Sequence, residues 1–178
     1  MLPLVNKSDL DKFKYVSDSV KNLTAWGQFV SEAQLLDVKG WLGDALLNEL
    51  DSQNSTDPTS FSVANQLLLD GGSYTYSTKT YIFQGLKASI IYYAFGRYSS
   101  KSAFNYTAAG IVLKDSDLST PVSDKVLQRL ETEARLTAEA IRDECILFLN
   151  RNYNSYPLWS NCCSICTGRN RPFTVLGD

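Results

Sequence analysis

The longest regular pattern of apolar and polar positions in the chain runs from Ser123 to about Asn154. Apolar or small residues recur there at spacings of three and four, which is typical of one face of a helix. These positions are Val126, Leu127, Leu130, Ala134, Thr137, Ile141, Cys145 and Phe148. Pro121 precedes the segment, Ser123 or Asp124 can cap it, and no Pro or Gly follows until Pro157. We therefore predict one helix on the order of 45 Å long.

The charged residues of this helix fall largely off its apolar stripe. They are Glu131, Glu133, Arg135, Glu139, Arg142 and Asp143. A helix of this length exceeds what a domain of this size needs to cover its own core. It is either simply the longest helix of a bundle or a strut that also faces neighbouring subunits, and the pattern leaves both interpretations open.

Shorter helical patterns occupy much of the rest of the chain. Helices are predicted over 8–15 with Asn6 or Ser8 as cap, over 24–39, from a break at Gly40 and Gly43 through Leu50, over 60–69, and over 84–103. In the second of these, Trp26, Phe29, Val30, Ala33, Leu36 and Val38 supply the apolar contacts. Residues 51–58 (DSQNSTDP) are predicted to form a polar turn, and the helix over 84–103 is predicted to be the most buried.

After Gly71-Gly72 the period changes from helical to alternating. Residues 74–76 and 80–83, rich in Tyr and Thr, predict a β-hairpin at about 73–83. The hairpin is either a half-buried ribbon packed on the bundle or a projecting arm that contacts a partner. Residues 104–120 form a loop or a second ribbon, in which 109–113 could be a strand. The tail 155–178 has no clear period, and its apolar residues predict an arm that is buried only against a partner.

Composition limits the function classes. The 178 residues are 44% hydrophobic and 20% charged, which is typical of one globular domain, and the net charge of −2 argues against a nucleic-acid-binding field. The chain has no His, the commonest general base and metal ligand, so we expect no enzyme and no cofactor. The start of the chain does not read as a signal peptide and no window is apolar enough to span a membrane, so we expect a soluble protein made in a reducing compartment, without membrane contact.

Three cysteines in the tail, Cys162, Cys163 and Cys166, include one C-x-x-C pair. A structural zinc site needs four ligands, and Cys145 on the long helix would have to complete the set. A cysteine on the core face of a helix is usually a small hydrophobic residue. These cysteines are therefore weak metal candidates, and free thiols are the expected state.

Together these patterns predict a mainly α protein: a helical bundle with one very long C-terminal helix, a small β-hairpin and an irregular C-terminal tail. We divide it into a helical domain, 1–154, and an extended C-terminal arm, 155–178. With no catalytic set, the expected functional residues are interface residues. They are Tyr74, Tyr76, Tyr81 and Phe83 of the hairpin, and Tyr156, Trp159, Arg169, Arg171 and Phe173 of the arm.

Four stretches, taken in order and spacing, resemble a protein family encoded by Bacteroides phages (crAss-like) and prophages. They are WLGDALLNEL (41–50), LLLDGGSYTYSTKTYIFQGLKASIIYYAFGRY (67–98), TPVSDKVLQRLETEAR (120–135) and FLNRNYNSYPLW (148–159). That family is similar to the head–tail connector (adaptor) proteins of tailed bacteriophages. The resemblance covers roughly residues 5–160 and leaves out the cysteine-containing tail.

The resemblance implies a structural virion protein of the neck, assembled in the bacterial host cytoplasm. Such a protein would form a homo-oligomeric ring, expected to be a dodecamer, beneath the portal protein, dock the downstream tail proteins and continue the channel for genomic DNA without sequence-specific binding. A mildly acidic lining would let DNA slide. The alternatives are another neck or tail ring, such as a stopper or tail-completion protein, or a non-virion protein-binding factor.

Overall fold

The computed structural model describes residues 2–14, 24–56, 61–101, 104–107, 110–113 and 123–159, with only the backbone described at 24–25, 104–107 and 110–113. The helices, in chain order, are α1 (Lys7–Phe13), α2 (Thr24–Glu32), a π-helix (Ala33–Val38), α3 (Lys39–Leu42), α4 (Asp44–Thr56), α5 (Val63–Asp70), α6 (Leu86–Lys101) and α7 (Asp124–Arg151), followed by a 3-10 turn (Tyr153–Ser155). The strands are β1 (Gly72–Tyr76), β2 (Lys79–Phe83), β3 (Phe104–Thr107) and β4 (Gly110–Leu113). The protein is mainly helical, as predicted.

The long C-terminal helix α7 packs against α6, and small residues bring the two helices together. A Cβ on Gly96 would lie 3.4 Å from the Glu131 carbonyl oxygen and 3.6 Å from the Ala134 Cβ. Ser89 donates a hydrogen bond to the Ala138 carbonyl at 3.2 Å. The prediction that α6 is the most buried helix is confirmed among the described residues, since most of its positions between 86 and 99 are buried.

The buried stripe of α7 is shorter than the sequence pattern predicted. Its buried positions are Ala134, Ala138, Ile141, Cys145, Phe148 and Leu149. Thr137 is exposed, whereas Ala138, one residue on, is buried. Val126 and Leu130 are also exposed, because they lie in the first two turns, ahead of the buried stripe. The predicted apolar face is therefore correct at Ala134, Ile141, Cys145 and Phe148.

The second helical segment changes its hydrogen-bond pattern in the middle. From Ala33 to Val38 it is a π-helix, in which the Lys39 N–H donates to the Gln34 carbonyl, five residues back. The wider turn places Val38 on the core face with Ala33, and both are fully buried. Leu36, predicted to be an apolar contact, is turned outward and is 66% exposed. The helix continues through Gly40, so of the two predicted breaks only the one at Gly43 is observed.

Residues 51–56 continue α4 and are not the predicted polar turn; residues 57–58 lie outside the described part of the chain. Tertiary contact outweighs the low helix propensity of these polar residues. Asn54 is buried and donates a hydrogen bond to the Pro3 carbonyl, while Asp51 accepts one from the Leu2 N–H. The N-terminal segment therefore stabilises the last turns of α4.

The side chain of Gln34, fully buried in the π-helix, holds the same N-terminal segment from the other side. Its amide oxygen accepts a hydrogen bond from the Leu4 N–H at 2.8 Å, and its nitrogen donates one to the Leu2 carbonyl at 3.3 Å. Leu4 and Val5 are buried beside it. α1 then starts at the Asn6 cap, as predicted, with a capping box to Asp9.

The hairpin β1–β2 is confirmed, with Tyr74 opposite Tyr81 and Gly72 opposite Phe83. Its two ends meet at Gly71 and Gly85, which both have positive φ. A Cβ on either glycine would collide with backbone atoms of the opposite segment, so this closure requires glycine at both positions. β3 and β4 form a second antiparallel pair, which confirms the ribbon alternative for 104–107 and 110–113. The other residues of the predicted segment, 108–109 and 114–120, lie outside the described part of the chain.

Candidate interaction surfaces

The inner face of the hairpin lies on an aromatic cluster formed with the end of α7. Phe148 is at its centre. The Phe83 ring stacks on Phe148 with centroids 4.2 Å apart, and the Tyr74 and Tyr156 rings meet it edge-on at 4.9 Å and 5.6 Å. Tyr74, Phe83, Phe148 and Tyr156 are all buried. The hairpin is therefore a half-buried ribbon packed on the bundle, and its inner aromatic residues are not free to contact a partner.

Arg151, the last residue of α7, contacts three tyrosines of the hairpin. It donates a hydrogen bond to the Tyr74 hydroxyl at 3.0 Å, and its guanidinium lies 4.0 Å from the Tyr81 ring centroid and 5.2 Å from that of Tyr76. Stacking of a guanidinium on aromatic faces favours a fixed arrangement of these long side chains. Of the four predicted interface residues in the hairpin, Tyr76 is the exposed one, at 44%.

Tyr156 and Trp159 were predicted to be buried only against a partner, and this prediction is wrong. Tyr156 is 2% exposed and Trp159 8%, both within their own chain. The Tyr156 hydroxyl donates to the Ala64 carbonyl, and the Trp159 indole N–H donates to the Asn150 side chain at 3.0 Å. Burial also raises the pKa of Tyr156. The chain reverses after Arg151 because of the 3-10 turn, and sequence periodicity does not register such a reversal.

The remaining predicted positions of the arm lie outside the described residues. They are Arg169, Arg171 and Phe173 among the interface residues, and Cys162, Cys163 and Cys166 among the weak metal candidates. Cys145, the fourth cysteine, is fully buried in α7, and burial raises the pKa of its thiol to about 12. In the described part of the chain, no three His, Cys, Asp or Glu side chains are grouped so that they could hold a metal ion.

The sequence reasoning missed an apolar groove on α2 and the π-helix. This leucine groove, about 660 Å³, is lined by Pro3, Gly27, Gln28, Ser31, Glu32, Leu35 and Leu36. Leu35 is 46% exposed and Leu36 66%. Both leucines lie within the π-helix, whose altered register the periodicity of a regular helix does not indicate.

Charged side chains cluster between the same segment, α6 and α7. Asp37 and Glu32 accept from three cations, and we call this group the cationic corner. Its ion pairs are Arg97–Asp37 at 2.9 Å, Lys101–Glu32 at 3.1 Å, Arg97–Glu32 at 3.6 Å and Arg135–Asp37 at 3.9 Å. In these ion pairs three cations meet two carboxylates. The Lys101 and Arg135 side chains are 41% and 46% exposed.

A third surface is the side of α7 that faces away from the bundle. We call it the outer face; it comprises Leu136, Ala140, Asp143, Glu144 and Leu147, all of them exposed. Asp143 pairs with its neighbour Arg142 at 2.8 Å. The Glu144 carboxylate forms no ion pair or hydrogen bond with any side chain in the described ranges. The outer face therefore combines apolar side chains with one uncompensated negative charge.

Among the described residues, none of the helices is both long and apolar enough to cross a lipid bilayer. No curated protein and no solved structure matches the chain. One protein-family model does match, over residues 38–169, and its description is a family of unknown function, DUF6712. The match runs from the end of the π-helix through the aromatic cluster and into the C-terminal tail, so it includes the hairpin, α6 and all of α7. The chain belongs to the DUF6712 family.

Proposed function

We propose that this protein is a structural virion component that assembles into a ring beneath the portal, joins the capsid to the tail and continues the DNA channel. The structural observation that carries the proposal is the surface of α7. A helix of 28 residues, about 42 Å long, buries a stripe only from Ala134 onward and leaves leucines exposed on its opposite side. Neighbouring subunits of a ring would cover that surface.

The connector role, as distinct from assembly in general, rests on the resemblance of the four stretches described above. The net charge of the chain, −2, supports it. A channel lined by a mildly acidic protein would repel the phosphate backbone, and DNA would pass without being held.

The proposal assigns this protein no catalysis. It would act through its binding surfaces. The rigid attachment of the hairpin to α7 suits a protein that holds its neighbours at fixed positions. The Phe83–Phe148 stack and the Arg151–Tyr74 hydrogen bond keep the hairpin in one orientation. The exposed outer residues of the hairpin are then available to a neck protein; they are Ser73, Thr75, Thr80 and Ile82.

The test is reconstitution with the portal protein encoded by the same phage genome. We expect an added ring on the purified portal, seen by negative-stain electron microscopy after mixing the two proteins. If the ring adds only when another neck protein is already present, the stopper or tail-completion alternative replaces the connector. Failure to bind the portal, with or without other neck proteins, would refute the virion role.

A further inference from the structure

The last residues on the inner face of the hairpin extend past the aromatic cluster. Tyr76 and Lys79 are opposite each other in the strand register, so their side chains lie on the same face of the hairpin. This is also the face on which Tyr74 packs against Phe148, since alternate residues of a strand share a face. Tyr76 and Lys79 are nevertheless exposed. The Arg151 guanidinium is 5.2 Å from the Tyr76 ring centroid, and we call Tyr76, Lys79 and Arg151 together the basic tip.

The Arg151 guanidinium is held in one orientation and still has unused hydrogen-bond donors. One N–H group donates to the Tyr74 hydroxyl at 3.0 Å, and the Tyr81 ring centroid lies 4.0 Å from the guanidinium carbon. The other N–H groups have no acceptor among the described residues, and the side chain is partly exposed. A planar guanidinium that is fixed in this way is suited to binding a carboxylate through two parallel hydrogen bonds.

No carboxylate in the described part of the chain pairs with the basic tip. Neither Lys79 nor Arg151 forms an ion pair with a described residue. Glu144 is on the same side of α7 as Arg151, but it lies about 10 Å away along the helix axis. Asp70, just before the hairpin, pairs with Lys87 at 2.8 Å. The carbonyl end of α7 supplies only about half a negative charge, so the basic tip keeps a net positive charge.

The composition of the basic tip favours a protein ligand over nucleic acid. Binding to DNA phosphates strengthens with the number of cations that contact them, and two cations on a chain of net charge −2 are few. Arginine and tyrosine are enriched among the residues that contribute most to binding between proteins. The favoured ligand is therefore the carboxylate of an aspartate or glutamate side chain.

We infer that the basic tip binds an acidic side chain of another neck protein. The carboxylate accepts hydrogen bonds from the unused N–H groups of Arg151, the Lys79 ammonium lies near it, and the Tyr76 ring covers one side of the contact. Arg151 then both attaches the hairpin to α7 and holds the partner. This inference rests on the proposed function and adds to it the chemical group that the hairpin recognises.

The test measures binding of a carboxylate probe to the full-length protein. The probe is fluorescein-labelled hexaglutamate, titrated by fluorescence anisotropy at low salt. Lys79→Glu reverses one charge of the basic tip, and Arg151→Gln removes the other. Lys125→Glu, at an exposed position in the first turn of α7, is the matched control because it changes the net charge as Lys79→Glu does. Circular dichroism checks folding, and Lys79→Glu alone suffices if Arg151→Gln does not fold, since Lys79 has no polar partner among the described residues.

We expect wild type and Lys125→Glu to bind hexaglutamate with similar affinity. Lys79→Glu and Arg151→Gln should each bind it at least about tenfold more weakly, because hydrogen bonds to charged groups contribute that much. Raising the NaCl concentration should weaken wild-type binding, since charges contribute to it. A labelled DNA duplex of about 20 base pairs, titrated in the same way, should bind wild type more weakly than hexaglutamate does.

Three results would overturn the inference. Wild type does not bind hexaglutamate, the variants of the basic tip bind it as well as wild type does, or Lys125→Glu weakens binding as much as Lys79→Glu. If the DNA duplex binds wild type more tightly than hexaglutamate and Lys79→Glu abolishes that binding, the ligand is a phosphate backbone and the inference is wrong. The proposed function survives all of these results; it fails separately if wild type does not bind the portal.

Discussion

The rings of Phe83 and Phe148 stack with centroids 4.2 Å apart and an interplanar angle of 16°. Phe83 belongs to the hairpin and Phe148 to the long C-terminal helix, so this contact joins two elements that the sequence pattern predicts. Tyr74 and Tyr156 enclose Phe148 from other sides. The aromatic cluster therefore packs the β-hairpin, α7 and the C-terminal turn against one another.

Replacing Phe148 by alanine should lower the stability of the whole domain. Phe148 is 1% exposed and contacts three other aromatic rings, and removing such a side chain leaves a cavity that its neighbours fill only in part. We expect a loss of about 3–5 kcal/mol in the free energy of unfolding, measured by urea denaturation. Val63→Ala, at an exposed position, should change it by less than about 0.5 kcal/mol. If Phe148→Ala lowers the free energy of unfolding as little as Val63→Ala does, the aromatic cluster does not stabilise the fold.

The position at which the C-terminal arm is cut should decide whether the protein folds well. Removal of 155–178, the whole predicted arm, also removes Tyr156 and Trp159, which the structure shows to be buried. We expect that truncation to have a much lower thermal midpoint than one that removes only 160–178 and keeps both rings. Circular dichroism melting curves of the two truncations provide the comparison. Equal midpoints would contradict the burial of Tyr156 and Trp159.

Replacing Tyr156 by phenylalanine separates the contribution of its hydrogen bond to stability from that of its ring packing. Tyr156→Phe keeps the aromatic packing but leaves the Ala64 carbonyl without its donor. We expect a loss of about 0.5–1.5 kcal/mol in unfolding free energy, well below that for Phe148→Ala. The same urea titration measures it, and an unchanged midpoint would mean that water replaces the hydroxyl.

Stability should fall in acid partly through Asp70. Burial alone would raise the pKa of this carboxyl, but hydrogen bonds from Lys87 and Gln66 outweigh it, and the pKa lies below the ordinary value of 3.8. A carboxyl with a lower pKa in the folded state stabilises the protein above the unfolded-state pKa, and that contribution disappears as the pH falls through the folded-state value. We expect Asp70→Asn to be less stable than wild type at pH 7 and the difference to shrink below about pH 4. Urea titrations at several pH values check this, and a constant difference would contradict it.

The thiol of Cys145 should be unreactive while the protein is folded. It is fully buried, and burial raises its pKa to about 12, so almost no thiolate forms near pH 8. In a variant with Ser at positions 162, 163 and 166, a thiol reagent should label Cys145 only after urea is added. Rapid labelling without urea would mean that α7 opens, and would restore Cys145 as a candidate zinc ligand.

Sequence patterns predicted the parts of this fold in which local and tertiary preferences agree. The period of 126–148 indicated α7, and the alternation of Tyr and Thr after Gly71 indicated the hairpin. They failed where a tertiary contact decides the outcome. Residues 51–56 stay helical although polar residues favour a turn, because buried Asn54 hydrogen-bonds to the Pro3 carbonyl. Leu36, predicted to lie in the core, is exposed on the π-helix.

The candidate interface was harder to predict for the same reason. Aromatic residues near a hairpin and in a tail suggest a partner, yet Phe83, Tyr156 and Trp159 are buried within their own chain. The surfaces that remain free are made by residues of ordinary type, such as Leu136 and Glu144, whose exposure depends on how α7 lies on α6. No local sequence signal reports that packing.

The central claim, a neck ring, is tested most directly by cryo-electron microscopy of intact virions of the encoding phage. We expect density for a closed ring of this fold immediately below the portal. Particles whose neck contains no copy of this fold would contradict the claim.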